Sequence, residues 1–304
     1  MKNKVLSAHL ALLGANLIYG GNYLIAKGVM PGKIGPSAFV FIRIVAASIL
    51  FWLIRMYVRE PIAKKDVGRL ILCGLLGVAT NQLFFFHGLN LTSPIDASII
   101  ITSIPVMVLV FSAILLKERI TITKTLGLVI GGIGALLLVA YGKESGGTGS
   151  ILGNVFVLIN TTSYALYLVI VKPLMSKYKP LTVISWVFLF GFFFMFPFGI
   201  GDFLSTDFSR FDTGTYLAVI YVVLGTTFLA YLLNIYALNY VSPAVNGSYV
   251  YLQPAVTFIL VSAYAYLLND EQYAQDINLV KAFSCLLVIS GVYLISRPNK
   301  NPVL

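Results

Sequence analysis

The 304-residue chain has few of the residues on which disulfide-rich proteins, metal proteins and many enzymes depend. Its two cysteines, Cys73 and Cys285, lie far apart inside apolar runs, so we expect neither a disulfide nor a metal site. Two histidines, His9 and His87, are too few for a histidine-rich metal centre, and the sequence has no His-Glu-x-x-His motif. We therefore expect no cofactor and no enzymatic activity.

Charged residues are also scarce, at 11% of the chain, against about 25% in soluble domains. Apolar residues make up 59%, and the mean hydropathy is +0.91. This composition is typical of a protein whose surface lies mostly in lipid. Apolar runs of about 20 residues, long enough to cross ~30 Å of hydrocarbon, recur along the chain. The ten runs lie at about 7–27, 36–58, 69–89, 94–116, 123–141, 151–171, 181–199, 214–239, 243–268 and 278–296.

We interpret the ten runs as transmembrane helices, because they lack the alternation of strands and lipid leaves unpaired backbone groups without partners. With a cytoplasmic amino terminus, 15 of the 21 lysines and arginines fall on the cytoplasmic side. Five fall on the other side, and Arg43 lies within a run. The positive-inside rule therefore predicts that both termini are cytoplasmic. The net charge of +10 is thus read as a topology signal, and we expect no nucleic-acid partner.

Residues 2 to 21 have the charge pattern of a signal peptide, but no convincing cleavage site follows them. We expect this segment to be retained as the first transmembrane helix.

One sequence frame occurs twice. The segment LNLTSPIDASIIITSIP at 89–105 matches LNYVSPAVNGSYVYLQP at 238–254 without a gap. Matches on either side, at shifts of 145 and 157 residues, place four helices of each half in the same order. The sequence therefore predicts two five-helix repeats, at 1–142 and 151–298. Since five is odd, the second repeat enters the membrane from the opposite side, and inverted repeats are typical of secondary transporters.

The duplicated frame also predicts local structure. Ser93 and Ser242 are predicted N-caps. Pro105 and Pro254 are predicted to lie within helices, where each removes a backbone hydrogen bond. Kinked helices are tolerated at membrane depth where they face protein or a wet cavity, so we expect the frame to line a cavity. Prolines that only shape helix packing are the alternative.

The first two runs contain ANLIYGGNYLIAKGVMPGKIGPSAFVFIRIVAA, and LLKERIT follows the fourth run. Together with the duplicated halves, this pattern resembles the EamA repeat of the drug/metabolite transporter superfamily. The resemblance implies export or exchange of small metabolites, often amino acids or related compounds, across the bacterial inner membrane. Two departures leave the substrate open: Tyr19 stands where the family often has tryptophan, and no arginine lies opposite Arg43. The matching positions are Ala15, Tyr19, Gly20, Lys27, Pro36 and Arg43.

Polar side chains within the runs share helix faces and are expected to point inward, because polar groups are costly in lipid. Amides, hydroxyls and tyrosine rings suit a substrate with both polar and apolar parts. Hydrogen bonding between helices, without substrate contact, is the alternative for each residue. The candidate substrate-binding residues are Asn16, Tyr19, Asn22, Arg43, Thr80, Gln82, His87, Thr102, Tyr164, Tyr167, Tyr231, Asn234, Asn246 and Gln253.

Two of these candidates carry or gain charge. The sequence leaves three roles open for Arg43: it binds a substrate carboxylate, caps backbone carbonyls or pairs with Asp96. His87 is either a proton carrier or a hydrogen-bonding residue. The eleven acidic residues lie in loops or near run ends, so we expect uniport or exchange rather than a buried carboxylate proton relay.

The sequence thus predicts an all-α membrane transporter that works by alternating access, with a central cavity between the repeats. Its expected partners are a small-molecule substrate and the lipid bilayer. A channel-like pore for small solutes or ions is the alternative. Gly127 and Gly131 predict close helix packing, either within the chain, which we favour, or in a homodimer. A monomer and a homodimer therefore both stay open.

Overall fold

The computed structural model describes residues 2–30, 32–58, 60–91, 100–118, 120–141, 151–253, 255, 256, 259, 263, 266 and 279–296. Helices dominate these residues, and no strand occurs among them. In chain order they are α1 Lys2–Val29, α2 Pro36–Arg55, α3 Lys64–Leu91, α4 Ile104–Leu115, α5 Ile122–Tyr141, α6 Ile151–Met175, α7 Pro180–Leu204, α8 Thr213–Leu238, α9 Pro243–Ser248 and α10 Leu279–Ser296. Short 3-10 turns lie at Phe208–Arg210 and Tyr249–Tyr251.

Within the described residues, five helices are long and apolar enough to cross a membrane, namely α2, α3, α6, α7 and α8. The shortest of them, α2, has 20 residues, which at 1.5 Å per residue spans about 30 Å. Shorter apolar helices occur in α4, α5 and α10. The architecture is that of an all-helical, multi-pass membrane protein. The count of ten transmembrane helices, the two repeats and the cytoplasmic termini stay predictions.

The predicted fourth run differs from the structure. α4 begins at Ile104, after a turn at Thr102 and Ser103, and residues 92–99 lie outside the described part. Pro105 therefore sits in the first turn of α4 and not within a helix as we predicted. A proline is favourable there, because the first turn of a helix has no internal acceptor for its N–H groups.

The second copy of the frame forms the predicted cap. The Ser242 hydroxyl oxygen accepts a hydrogen bond from the Val245 backbone N–H at 3.3 Å, and Pro243 opens α9. This arrangement satisfies one of the free donors at the start of the helix. The other predicted features of the frame lie outside the described residues, at Ser93, Asp96 and Pro254.

α3 contains a π-helical segment, Leu75–Thr80. A π turn closes its hydrogen bonds one residue farther along the chain, and such turns occur frequently at functional sites. The Leu76 carbonyl accepts from the Ser163 hydroxyl of α6 at 2.7 Å. The Gly77 carbonyl accepts from the Tyr231 hydroxyl of α8 at 3.2 Å. Side chains of the second predicted repeat therefore form hydrogen bonds to the π segment of the first predicted repeat.

α8 contains a second π-helical segment, Val222–Leu229, at the matching position of the second predicted repeat. The hydroxyl groups of Thr226 and Thr227 both donate to the Val222 carbonyl, at 2.6 and 2.9 Å. The two widened turns lie in helices that the sequence repeat pairs with each other.

The helices pack in pairs that follow the predicted repeat. α2 packs against α7 and α5 against α10, and each pair joins helices with the same position in the two halves. α4 contacts α9 in the same way, while α3 packs on α6 and α1 on α8. α5 and α10 lie close together at Gly127, Gly131 and Gly291, so the small face of α5 is covered within the chain. This confirms the expectation that these glycines serve internal packing.

Two ion pairs join the predicted repeats at their ends. Lys33, between α1 and α2, contacts the Asp212 carboxylate at 2.6 Å, and Asp212 caps α8. Lys177, between α6 and α7, contacts the Asp66 carboxylate in the first turn of α3 at 2.7 Å. Each pair therefore links the loop after the first helix of one repeat to the start of the third helix of the other.

The Lys33–Asp212 pair predicts a dependence of stability on pH. Hydrogen bonds from Lys33 and Thr215 hold the pKa of Asp212 well below its ordinary value of 3.8. Because the folded state favours the carboxylate, the stabilisation is complete above the unfolded pKa and is lost as the pH falls through the folded pKa. We expect Asp212→Asn to lower the melting temperature in detergent by roughly 1–3 °C at pH 7.

The same comparison at pH 3 should show a smaller difference between the variant and the wild type. A difference that stays constant from pH 7 to pH 3 would contradict the role of the ionised carboxylate. Arg210→Gln, at an exposed ion pair with Asp207, serves as the control for a general effect of charge.

Candidate functional site

A cavity of about 110 Å³ lies between helices of the two predicted repeats. One water molecule needs about 10–15 Å³ of such a cavity, so this cavity has room for several waters or for a small solute. Its walls come from α1 to α4 on one side and from α6, α8 and the segment around α9 on the other. The lining residues are Asn16, Tyr19, Asn22, Arg43, Asn81, Gln82, Phe85, Phe86, Ile101, Ile104, Asn160, Tyr164, Tyr231, Asn234, Val250 and Gln253.

The cavity brings together nine of the predicted site residues, although they are spread over 238 positions of the chain. Amides, tyrosines and one arginine form its polar part, and no acidic residue is among the lining residues described. Phenylalanine, isoleucine and valine side chains form its apolar part. The nine are Asn16, Tyr19, Asn22, Arg43, Gln82, Tyr164, Tyr231, Asn234 and Gln253.

Five predicted residues do not line the cavity: Thr80, His87, Thr102, Tyr167 and Asn246. His87 Nε2 forms a hydrogen bond of 2.8 Å with the Ser37 hydroxyl. Asn246 Nδ2 donates to the Asn234 backbone carbonyl at 3.1 Å, so it supports a lining residue from behind.

The remaining three lie in or next to the walls. The buried Tyr167 ring packs against Gly77, where an added methyl group would clash with the ring. Thr80 ends the π segment of α3, and Thr102 is buried in the turn before α4.

Sequence reasoning left several lining residues out of the site. Asn81 directly precedes the predicted Gln82, and Asn160 lies one helical turn before the predicted Tyr164, so both carried a positional signal. The apolar residues carried no such signal, because nothing in a phenylalanine or isoleucine distinguishes a cavity wall from a lipid-facing position. Those residues are Phe85, Phe86, Ile101, Ile104 and Val250.

Buried amides connect α1 with the segment after α9. Asn16 Nδ2 donates to the Leu12 carbonyl at 2.8 Å, which orients the side chain within its own helix. Its Oδ1 atom then accepts from Gln253 Nε2 at 2.9 Å. Gln253 lies two residues after the 3-10 turn Tyr249–Tyr251, so the amide pair fixes this irregular segment against α1.

On the other wall, α3, α6 and α8 meet around Asn81. The Tyr231 hydroxyl oxygen lies 3.1 Å from Asn81 Oδ1 and 3.2 Å from the Gly77 carbonyl oxygen, so these two acceptors share its single proton. Asn160 Nδ2 donates to the Asn81 carbonyl at 2.8 Å. The polar side chains of this wall are therefore held in place by bonds between the two predicted repeats.

Arg43 is the one cation among the lining residues described, and 4% of its surface is exposed. Its Nε atom donates at 2.9 Å to the hydroxyl of Thr227, which lies within the π segment of α8. Its guanidinium carbon lies 4.5 Å from the centre of the Phe86 ring and 5.7 Å from that of Phe39. Nη1 is buried and has no hydrogen-bond partner among the described residues.

No carboxylate pairs with Arg43 in the described part of the chain. Asn22 adds a second unsatisfied atom to the lining, since its Oδ1 is buried without a donor among the residues described. Gln82 Nε2 and Oε1 are also buried without a hydrogen-bond partner among the residues described. The cavity lining therefore has an unpaired donor on a cation, Arg43 Nη1, together with neutral donors and acceptors on Gln82 and Asn22. Leaving a buried polar group unpaired costs about 1–3 kcal/mol, and more for a charged group.

The EamA-like transporter family model matches residues 6–140 and 151–297. The chain is 23% identical to the uncharacterized transporter YetK of Bacillus subtilis, covering 98% of this chain and 89% of the relative. It is 26% identical to an uncharacterized transporter of Archaeoglobus fulgidus, with coverages of 87% and 90%. Protein WALLS ARE THIN 1 of Arabidopsis thaliana is 22% identical, with coverages of 95% and 82%.

A solved crystal structure has the same fold, with a TM-score of 0.75 at 18% identity over 95% of this chain and 96% of the other. The two family matches cover most of the chain, and these bacterial and archaeal relatives carry transporter names rather than enzyme names. This chain belongs to the EamA-like transporter family.

Proposed function

We propose that the protein is a secondary carrier that exports or exchanges small zwitterionic metabolites, such as amino acids, by alternating access. The substrate would occupy the cavity between two inverted five-helix repeats. The observation that carries this proposal is Arg43, a buried guanidinium in the cavity lining without a carboxylate partner among the described residues.

The energetic argument for an anionic substrate group starts from the cost of burying charge. Burying an ion costs several kcal/mol of hydration free energy. An opposite charge and well-aligned hydrogen bonds must offset this cost. For Arg43, the Thr227 hydroxyl and the Phe86 ring offset part of this hydration cost. A substrate carboxylate at Nη1 would supply the missing charge and the missing acceptor together.

The rest of the lining supports a substrate that also has a donor and an apolar part. Asn22 Oδ1 is a buried acceptor that a substrate ammonium would satisfy. Phe85, Phe86 and Ile104 provide apolar contact beside these polar groups. A zwitterion with a small side chain matches this combination better than a sugar or an inorganic ion.

Alternating access is supported by the way the two halves correspond. The paired packing of α2 with α7 and α5 with α10 follows the sequence repeat. The π segments lie at matching positions in α3 and α8. Transporters with inverted repeats bind substrate near the interface of the repeats and change access by moving one half against the other.

We also propose the bacterial inner (plasma) membrane as the site of action, on the basis of the Bacillus relative. We expect no nucleic-acid partner, because the basic excess follows the positive-inside pattern. A monomeric carrier is supported by the coverage of the glycine face of α5 within the chain.

The first test is counterflow in proteoliposomes loaded with unlabelled amino acids. Saturable uptake of a labelled α-amino acid, accelerated by internal substrate and absent in protein-free vesicles, is the expected result. The amide analogue of the same amino acid, which lacks the carboxylate, should exchange at least about tenfold less well, since each tenfold step corresponds to 1.4 kcal/mol. Non-saturable flux without acceleration by internal solute would instead indicate a channel.

A further inference from the structure

A second, open cavity of about 480 Å³ lies at the end of α2, away from the residues that line the first cavity. It is formed by the last turn of α2 and the segment that leads to α3. In the predicted topology this end of α2 faces the cytoplasm. The lining residues are Trp52, Arg55, Met56, Val58, Glu60 and Pro61, and together they are called the α2 groove below.

Arg55 lies between two tryptophan rings. Its guanidinium carbon is 5.3 Å from the centre of the Trp52 ring and 5.6 Å from that of Trp186 on α7. Nη2 donates to the Glu60 backbone carbonyl at 2.9 Å, which orients the guanidinium plane. Tryptophan at the end of a membrane helix is typical of the zone where lipid headgroups lie.

Two donors beside the α2 groove have no partner in the described part of the chain, namely Arg55 Nη1 and Trp186 Nε1. The Trp52 indole differs, because its Nε1 donates to the Ser185 carbonyl at 3.1 Å. The missing component near Arg55 is therefore a hydrogen-bond acceptor.

Glu60 supplies the opposite charge in the same groove. Its Oε2 atom accepts from the Lys179 backbone N–H at 3.0 Å. None of the ion pairs found among the described residues includes Glu60. The α2 groove thus offers a guanidinium donor and a carboxylate acceptor side by side.

We propose that the α2 groove binds the headgroup of a phospholipid that carries a primary ammonium, with the phosphate on Arg55 and the ammonium facing Glu60. A guanidinium matches phosphate oxygens in charge and geometry. Met56, an exposed apolar residue, lines the groove, and Leu53 and Ile54 are exposed in the last turn of α2, so this end of the helix provides apolar surface for the acyl chains. The lipid would tie the end of α2 to α7 through Trp186.

The site is independent of the transported substrate, and its test does not require transport activity. The purified full-length protein is delipidated and titrated with phosphatidylethanolamine or phosphatidylglycerol, and bound lipid is counted by native mass spectrometry. We expect one retained phosphatidylethanolamine per chain, at least about tenfold weaker binding in Arg55→Gln, and a smaller loss in Trp186→Phe. Arg210→Gln, at an exposed arginine of another loop, should bind like the wild type.

Further variants separate the proposal from its alternatives. Glu60→Gln should lose the preference for phosphatidylethanolamine over phosphatidylglycerol. Arg55→Lys keeps the positive charge but lacks the paired N–H groups of the guanidinium, so we expect it to fold and to bind the lipid with intermediate affinity. This variant replaces Arg55→Gln in the test if Arg55→Gln is poorly folded. Equal lipid retention in the wild type and Arg55→Gln, or displacement of the lipid by inorganic phosphate alone, would overturn the proposal.

Discussion

Replacing Arg43 with glutamine is expected to lower the exchange of a carboxylate-bearing substrate by roughly 30-fold or more. This range follows from the loss of about 2–5 kcal/mol when one partner of a buried, hydrogen-bonded charge pair is removed. Glutamine keeps a neutral N–H donor near the position of Arg43 Nε but removes the charge and the paired terminal N–H groups. The measurement is the half-saturating concentration and maximal rate of counterflow in proteoliposomes.

A purely structural Arg43 makes a different prediction. If the guanidinium served only to join α2 to α8 through Thr227 and to α3 through Phe86, its removal would lower the melting temperature whether or not substrate is present. Because Arg43 has no carboxylate partner in the described residues, we expect Arg43→Gln to melt at or above the wild-type temperature without substrate. The variant should lose the stabilisation that substrate gives to the wild type.

Two variants complete this experiment. Arg43→Lys keeps the positive charge and should retain part of the exchange, since lysine binds a carboxylate but lacks the two parallel N–H groups of the guanidinium. Arg210→Gln, at an arginine that is 77% exposed, should exchange normally. Normal exchange by Arg43→Gln, or the same loss with the amide analogue, would contradict the proposed role of Arg43.

The sequence was most informative about the site where polar residues repeat with the helical period. Asn16, Tyr19 and Asn22 are three apart on α1, so they share one helix face, and all three line the cavity. Arg43 stood out because a charge is rare within an apolar run. In both cases the free-energy cost of exposing a polar or charged side chain to lipid made its inward orientation predictable.

The prediction was less accurate for α3. Thr80 and His87 are seven apart and share a face, but Asn81 and Gln82 point to the cavity instead. The polar residues of α3 are adjacent, so composition does not decide which face turns inward. The π segment that ends at Thr80 adds to the difficulty, because a widened turn rotates the rest of the helix relative to an ideal α-helix.

The irregular segment near α4 shows a further limit. Pro105 was expected to interrupt a continuous helix, whereas the chain turns before it and α4 starts at Ile104. Proline is compatible with both arrangements, and only the packing of α4 on α6 and α9 selects one. The neighbourhood of the proline does line the cavity, through Ile101 and Ile104.

Replacing Gly291 with alanine is expected to be strongly destabilising. The added methyl group would lie 2.5 Å from the backbone Cα and N atoms of Gly131 and 2.7 Å from the Gly127 carbonyl oxygen. Backbone atoms have no alternative rotamer, so α5 and α10 must separate along their whole contact. Overpacking costs about 1–3 kcal/mol, occasionally more, and we expect the melting temperature in detergent to fall by roughly 4–10 °C.

Gly201→Ala is the matched control for this substitution. Gly201 lies in α7, and an added methyl group there would have no atom within 4 Å. Alanine stabilises a helix by about 1 kcal/mol relative to glycine, so this variant should melt at or above the wild-type temperature. The two variants make the same chemical change, and only the close approach of the helices distinguishes them.

The Gly291 variant also separates internal packing from dimerisation. Gly127 and Gly131 already face α10 of the same chain, and one small face does not accommodate two helices at once. The loss of stability should therefore be independent of protein concentration, because no subunit dissociates in the transition. A melting temperature that rises with wild-type concentration, but not with variant concentration, would instead place this glycine face in a homodimer.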